Sequence, residues 1–197
     1  MIEAWLRHNW PRIKKARRIG ADIVFFDEVG FSFLEPVGHT WAPCGKPPVL
    51  RRVTYSRRVL STAVGLTISG RIYKRHFNQA INSEAVVETL KHLRRHTRGP
   101  LIVVWDRASI HRGKKVMAYL AEHPALHVEW LPPCAPDINP EEFCHGNVKA
   151  RMKNAIPMNQ EEIRNISSSK FTPLANAAGR VVVKALVPGR HCRQYQR

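Results

Sequence analysis

Two short apolar runs, each ending in an aspartate, constrain the fold of this 197-residue chain more than any other feature. The runs read ADIVFFD, ending at Asp27, and LIVVWD, ending at Asp106. Consecutive apolar residues with β-branched members are typical of a strand buried on both faces. A carboxylate at the end of such a strand lies where α/β folds place their functional sites. The two runs therefore predict two buried strands, each ending in a candidate site residue.

The rest of the chain predicts helices and strands that alternate. Four helices are predicted. The first covers 3–18 and is interrupted at Pro11, and the second covers 83–96 and is capped by Asn82 or Ser83. The third covers 112–122, and the fourth begins at Asn139 and Pro140. Further predicted strands are 31–33 after a turn at Gly30, Val59 to Ile68, its hairpin partner Arg71–Phe77, and Leu126 to Leu131. Prolines and glycines predict loops over 34–58 and over LPPCAPDINP at 131–140. This alternation indicates the α/β class, a sheet with helices packed on it.

The charge balance indicates the kind of partner. The chain has 32 Lys and Arg against 15 Asp and Glu, a formal net charge of +17, which favours a polyanion such as DNA or RNA. A hydrophobic content of 44% with five tryptophans argues against disorder. Neither a transmembrane run nor a signal-peptide core is visible, which predicts no membrane partner and a cytoplasmic location. The four cysteines form no CxxC pair, so a zinc ribbon is not indicated.

The scarce acids gather at three places: Asp27 with Glu28, Asp106, and Asp137 with Glu141 and Glu142. Carboxylates that converge from separate elements make an oxygen-rich site suited to Mg²⁺ or Mn²⁺. Two such ions about 4 Å apart support phosphodiester cleavage. Plainer roles remain open for each acid. Asp27 could cap a turn toward Gly30, Asp106 could cap the segment that follows it, and Glu142 could form a capping box with Asn139.

Three sequence motifs resemble those of the DDE superfamily endonucleases. They are FFDEVGF at 25–31, WDRASIH at 105–111 and LPPCAPDINPEE at 131–142, and HTWAPCGKPPV at 39–49 is similar to a further family segment. The branch that the motifs most resemble is the bacterial insertion-sequence transposases related to the mariner elements. The resemblance implies an RNase H-like fold, in which a mixed five-stranded sheet flanked by helices carries the acids.

The resemblance also implies roles for individual residues. Asp27 and Asp106 match the first two catalytic, metal-binding acids, and Glu142 matches the third because Glu141 occupies the variable position of the motif. Spacing alone does not separate Glu141 from Glu142. Glu28 and His111 match family residues that we expect to orient the acids by hydrogen bonds. Asn139, the expected helix cap, is a supporting residue as well.

The chain departs from the family pattern in four respects. Arg107 stands where the family often has asparagine, and His145 where it usually has tryptophan. Residues 163–197 contain no acid and show no reliable helical periodicity. A helix-turn-helix domain, usual before this region in the family, is not seen. We therefore expect a basic linker or helix over 1–20, a catalytic domain over 21–160, and a basic, aberrant or poorly ordered tail over 161–197.

These features favour the catalytic domain of a DNA transposase that cleaves phosphodiesters at element ends and transfers strands. The expected cofactors are two Mg²⁺ or Mn²⁺ ions. The expected partners are transposon-end and target DNA, with a homodimer in the active complex, located at the bacterial nucleoid. Two alternatives stay open: an inactive remnant that binds DNA without sequence preference, and a stand-alone RNase H-like nuclease.

Overall fold

A mixed five-stranded sheet forms the centre of the protein. The computed structural model describes residues 1–33, 38–49 and 59–186. The strands are β1 (Asp22–Ser32), β2 (Val59–Thr67), β3 (Ile72–Phe77), β4 (Leu101–Trp105) and β5 (Leu126–Trp130). Their order across the sheet is β3-β2-β1-β4-β5, with β1, β2 and β3 antiparallel and β1, β4 and β5 parallel. The predicted α/β class and mixed sheet are confirmed.

Within the described ranges, five helices flank the sheet: α1 (Ile2–Arg18), α2 (Ser83–His96), α3 (Lys114–Glu122), α4 (Pro140–Arg151) and α5 (Gln160–Ala185). Short 3₁₀ turns occupy Ser109–Arg112 and Pro136–Ile138. The core has two parts, one on each face of the sheet. Residues of α1, α4 and α5 pack on one face, and residues of α2 and α3 pack on the other. Successive residues of β1 alternate between these two parts, as the two-residue period of a strand requires.

β1 is longer than predicted. We expected a turn at Gly30 and a new strand at 31–33, but β1 runs without interruption from Asp22 to Ser32. Backbone pairing with β2 continues through Gly30, which lies opposite Ser61. The prediction of a turn was wrong because the glycine is accommodated within a paired strand. Of the predicted loop over 34–58, residues 34–37 and 50–58 lie outside the described residues.

The first helix passes through Pro11, where we predicted an interruption. A proline inside a helix removes one backbone hydrogen bond and often breaks the helix. Here the apolar face on both sides of Pro11 is buried against the sheet, through Trp5, Leu6, Trp10 and Ile13. Trp5 Nε1 also donates a hydrogen bond of 2.9 Å to the Trp130 carbonyl of β5. Packing therefore keeps the helix continuous, and the prediction of a break was wrong.

The last helix was missed. Residues 163–197 were predicted to lack helical order, yet α5 extends over Gln160–Ala185. Its buried residues Ile163, Ser167, Phe171 and Leu174 recur with helical spacing, and the three apolar ones belong to the core. The prediction of an unordered segment was therefore wrong over this range. Residues 187–197 of the predicted tail lie outside the described residues.

A polar contact joins α5 to the outer strands of the sheet. His76 on β3 bonds through Nδ1 to Thr62 Oγ1 at 2.8 Å and through Nε2 to Ser168 Oγ at 2.9 Å. Lys74 Nζ donates to the Ser168 carbonyl at 3.1 Å. Burial, together with the charges of Lys74 and Arg164, lowers the pKa of His76 from 6.5 to about 4. The imidazole is therefore neutral at the junction with α5.

This lowered pKa predicts a loss of stability in mild acid. Between pH 6.5 and about 4, His76 takes up a proton more readily in the unfolded chain than in the folded one, so stability falls as the pH falls. In a His76→Asn variant, Tm followed by circular dichroism should depend less steeply on pH across this window. The exposed histidine of β5 gives a matched control, His127→Asn, which should retain the steeper slope. Identical slopes for both variants would contradict the prediction.

No helix in the described ranges has both the length and the apolar character needed to cross a lipid bilayer.

Candidate metal centre

Asp27 and Asp106 come together because of the parallel pairing of β1 and β4. The last backbone pair between these strands is Phe25 with Val104, and Asp27 and Asp106 each lie two residues further along the chain. β4 ends at Trp105, whereas β1 continues beside β2. Asp27 therefore remains within a strand and is largely buried, with 15% of its side chain exposed, while 54% of the Asp106 side chain is exposed.

The start of α4 supplies the third acid. Glu142 is exposed and lines a cleft of about 440 Å³ together with Asp27, Asp106 and Asn139. The proline-rich segment from Leu131 to Pro136 forms a wall of this cleft. Glu141, the neighbouring residue, is fully buried beneath the helix. Adjacent helical residues point about 100° apart because a helix has about 3.6 residues per turn. The structure thus places Glu142 in the cleft and Glu141 behind it.

Asn139 links the helix to the first strand. Its Nδ2 donates to Asp27 Oδ2 at 2.9 Å, and its Oδ1 accepts from the Glu141 N–H at 3.2 Å. The Asn139 N–H itself bonds to the Pro136 carbonyl at 3.0 Å. Asn139 is therefore the helix cap predicted from the sequence. Its N–H is engaged by Pro136, so it is not available for a capping box with Glu142.

The charge on Asp27 is costly in this setting. Burial raises its pKa to about 7, and repulsion from Glu28, Glu142 and Asp106 acts in the same direction. A hydrogen bond from the Glu28 N–H to Asp27 Oδ1, at 2.8 Å, partly opposes these effects. Asp27 caps no turn toward Gly30, since both residues lie inside β1. A positive charge in the cleft would relieve this repulsion.

Asp106 is held by His111. His111 Nδ1 lies 2.9 Å from Asp106 Oδ1, and His111 Nε2 lies 2.8 Å from Glu28 Oε1. Asp106 also accepts a hydrogen bond of 3.0 Å from the Ala108 N–H and so caps the segment that follows it. The capping role considered for Asp106 is therefore confirmed. Trp105 stacks on the His111 ring, with centroids 4.4 Å apart and planes 3° from parallel.

The ionisation of this group follows from its hydrogen bonds. Burial alone would lower the pKa of His111, but its bonds to Asp106 and Glu28 outweigh burial and raise the pKa to about 9. In return, the hydrogen bond from His111 lowers the pKa of Asp106. At neutral pH a charged imidazole therefore lies between two carboxylates and fixes their positions.

Replacing His111 by glutamine should raise the pKa of Asp106 toward its ordinary value, since the hydrogen bond from the imidazole is the largest cause of the lowered pKa. Carbon-detected NMR of the aspartate carboxyl groups measures this directly. His127→Gln, on the exposed surface of β5, is the matched control and should leave Asp106 unchanged. A titration of Asp106 identical in the His111 variant and the unaltered chain would refute the assigned contact.

Sequence reasoning did not place His145 in the site and noted it as a departure from the family pattern. In the structure His145 is 5% exposed, and its Nδ1 lies 3.8 Å from Asp27 Oδ2. Its Nε2 lies 3.6 Å from Glu141 Oε2, one turn earlier on α4. The i, i+4 spacing of Glu141 and His145 was the available signal, because it places the two side chains on one face of a helix.

One comparison with known proteins identifies the family of the chain, and another identifies its fold. The sequence profile described as DDE superfamily endonuclease matches residues 22–164. No curated protein sequence matches the chain significantly.

Solved structures of the Mos1 mariner transposase are similar in fold. A paired-end complex with the left transposon end has a TM-score of 0.61 at 17% identity, covering 93% of this chain and 60% of that one. The paired-end complex with Mg has a TM-score of 0.65 at 17% identity, and the match covers 94% of this chain and 60% of that one. The Mos1 catalytic domain has a TM-score of 0.56 at 16% identity, and the match covers 94% of this chain and 90% of that one. The predicted RNase H-like fold is confirmed, and the chain spans about 60% of the length of the longer transposase chains.

Proposed function

Because this chain belongs to the DDE superfamily endonucleases, we propose that it is the catalytic domain of a DNA transposase. The observation that carries this proposal is the cleft into which Asp27, Asp106 and Glu142 converge from two strands and a helix. The proposed reactions are hydrolysis of a phosphodiester at an element end and attack of the freed 3′-hydroxyl on target DNA. Similarity to Mos1 structures, one of them a strand transfer complex, supports this reaction class.

The donor set fits two Mg²⁺ or Mn²⁺ ions. Three carboxylates supply the oxygen ligands that these ions prefer, and the raised pKa of Asp27 marks an excess of negative charge that cations would offset. When bound, two such ions stabilise the charge that develops on the attacking and leaving oxygens. Mos1 paired-end complexes have been solved with Mg and with Mn, which supports the same choice here.

The protein's own side chains set the geometry of the proposed centre. Asn139 orients Asp27 through the hydrogen bond to Oδ2, and His111 orients Asp106. Glu28 lies behind His111 and stabilises its charged form. Ligands held in this way lose less conformational entropy when an ion and a phosphate arrive, so the site is organised before the substrate binds.

Basic side chains around the domain are proposed to hold the DNA backbone. The exposed face of α1 carries six of them: Arg7, Arg12, Lys14, Lys15, Arg17 and Arg18. Arg107 lines the cleft itself, with Nε bonded to the Leu131 carbonyl at 3.3 Å. Such contacts bind phosphates regardless of sequence and weaken steeply with salt.

The assembly and origin follow from the same proposal. Joining two element ends requires two catalytic domains, so we propose a homodimer in the active complex. The motif LPPCAPDINPEE supports an origin in a bacterial insertion sequence related to the mariner elements, acting at the nucleoid. We also propose that the catalytic domain comprises 21–160, preceded by a basic linker or helix over 1–20 and followed by a basic segment over 161–197.

Incubation of the purified chain with duplex DNA that carries the flanking inverted repeats of its element tests the proposal. We expect strand cleavage at the repeat ends with Mg²⁺ or Mn²⁺, and no cleavage with EDTA. Duplex DNA of scrambled sequence is the matched substrate. DNA binding without metal-dependent cleavage would identify an inactive remnant. Preferential cleavage of RNA–DNA hybrids in competition would identify a stand-alone nuclease instead.

A further inference from the structure

His145 is a buried polar side chain without a hydrogen bond on its Nε2 atom among the described residues. Both carboxyl oxygens of Glu141 share this condition, although the residue is fully buried. Buried polar groups are nearly always hydrogen-bonded, so each such group needs an explanation. The two side chains face each other at 3.6 Å, and both lie directly behind the cleft that contains Asp27.

The other ring nitrogen of His145, Nδ1, lies 3.8 Å from Oδ2 of Asp27, which lines the cleft. One ligand atom each from Asp27, Glu142 and His145 lies within 4.8 Å of the other two. Ligands of one octahedral ion with bonds of about 2.1 Å lie about 3 to 4.2 Å apart. Modest side-chain rotations would therefore close these three groups around a cation.

Glu141, His145 and the cleft are also arranged as a carboxylate, an imidazole and a metal site usually are in metalloproteins. A histidine ligand usually directs its second ring nitrogen toward a carboxylate or carbonyl, which fixes the orientation of the ring. Here Nδ1 faces Asp27 and Nε2 faces Glu141.

We propose that His145 is a nitrogen ligand of one cation of the metal centre, together with Asp27 and Glu142, and that it makes this position selective for Mn²⁺ over Mg²⁺. Glu141 orients the ring from behind. Asp27 and Asp106 would then hold the second cation. This inference rests on the proposed function only in requiring a divalent cation in the cleft.

The selectivity follows from ligand chemistry. Mg²⁺ binds almost exclusively to oxygen and keeps several of its waters, whereas later divalent metals accept imidazole nitrogen readily. A mixed set of two carboxylates and one imidazole therefore favours Mn²⁺. Calorimetric titration should show that His145→Gln weakens Mn²⁺ binding by about tenfold and reduces Mg²⁺ binding much less.

Pulsed electron paramagnetic resonance of bound Mn²⁺ tests the ligand directly. We expect nitrogen hyperfine coupling in the unaltered chain, which changes to the ¹⁵N pattern when histidine is labelled with ¹⁵N. The coupling should be lost in His145→Gln and kept in His127→Gln. His111 is not a competing source, because Asp106 and Glu28 occupy both of its ring nitrogens. The labelled, unaltered chain decides the question even where a variant fails to fold.

The outcomes separate this inference from the proposed function. Mn²⁺ bound without nitrogen coupling, or coupling that persists in folded His145→Gln, overturns the role of His145 and leaves a carboxylate-only centre intact. A chain that binds neither Mn²⁺ nor Mg²⁺, even with DNA present, overturns both proposals.

Discussion

The Asp27→Asn variant is expected to lose metal-dependent DNA cleavage while becoming more stable than the unaltered chain at pH 8. Asp27 is proposed to ligate both cations, so its loss should reduce cleavage by at least about a thousandfold. Metal ions contribute several kcal/mol at such sites, and each 1.4 kcal/mol or so is a factor of ten. Asp22→Asn, the same change at an exposed position of the same strand, is the matched control and should leave cleavage unchanged.

The gain in stability follows from the raised pKa of Asp27. The unfolded chain releases this proton near pH 3.8 and the folded chain near 7, so the native state loses stability as the pH rises through this window. The loss is on the order of 4 kcal/mol above pH 7. The asparagine of the variant is uncharged and avoids this loss of stability. It can accept only one of the two hydrogen bonds that Asp27 accepts, which costs about 1–3 kcal/mol.

Thermal unfolding of metal-free protein measures the difference. Asp27→Asn should have the higher Tm at pH 8, and the advantage should shrink as the pH falls and vanish below 3.8, where Asp27 is protonated in both states. Divalent cations should stabilise the unaltered chain more than the variant. A variant that is less stable at pH 8 would mean that the buried carboxylate is compensated in the folded state.

How well each helix or strand could be predicted depended on how clearly its sequence shows which residues are buried. β4 and α2 matched their predictions closely, because an unbroken apolar run and a capped amphipathic stretch leave few alternatives. α5 was missed because one of its buried positions is Ser167, a polar residue that conceals the helical spacing. Pro11 and Gly30 were read as breaks because local propensity favours breaks there, but tertiary packing decided otherwise.

The candidate site was only partly visible in the sequence. Parallel pairing explains why Asp27 and Asp106 are neighbours, and that pairing could be inferred from two runs that each end in an acid. Glu141 and Glu142 could not be separated by spacing, since both lie in the first turn of α4. Burial of Glu141 depends on what lies beneath the helix. A charged residue is rarely fully buried, so no sequence rule would have predicted that Glu141 is buried beneath the helix.

Replacing Trp105 by alanine should be the most damaging change outside the acids. Trp105 is completely buried at the end of β4, stacks on His111, and contacts Phe26 edge-on with centroids 5.7 Å apart. Removal of a buried aromatic side chain costs about 3–5 kcal/mol, a large share of the 5–15 kcal/mol that stabilises an ordinary domain. Unfolding by urea, monitored by circular dichroism, should show this loss.

Trp105→Phe separates packing from hydrogen bonding at the same position. The Trp105 Nε1 atom is buried without a hydrogen-bond partner among the described residues. Phenylalanine removes this unsatisfied donor, worth about 1–3 kcal/mol, while keeping a ring beside His111. The smaller side chain leaves a cavity that partly offsets the gain. We therefore expect Trp105→Phe to cost less than half as much as Trp105→Ala. Equal losses in the two variants would contradict this expectation, because both variants remove the indole N–H and only the alanine variant also removes the ring.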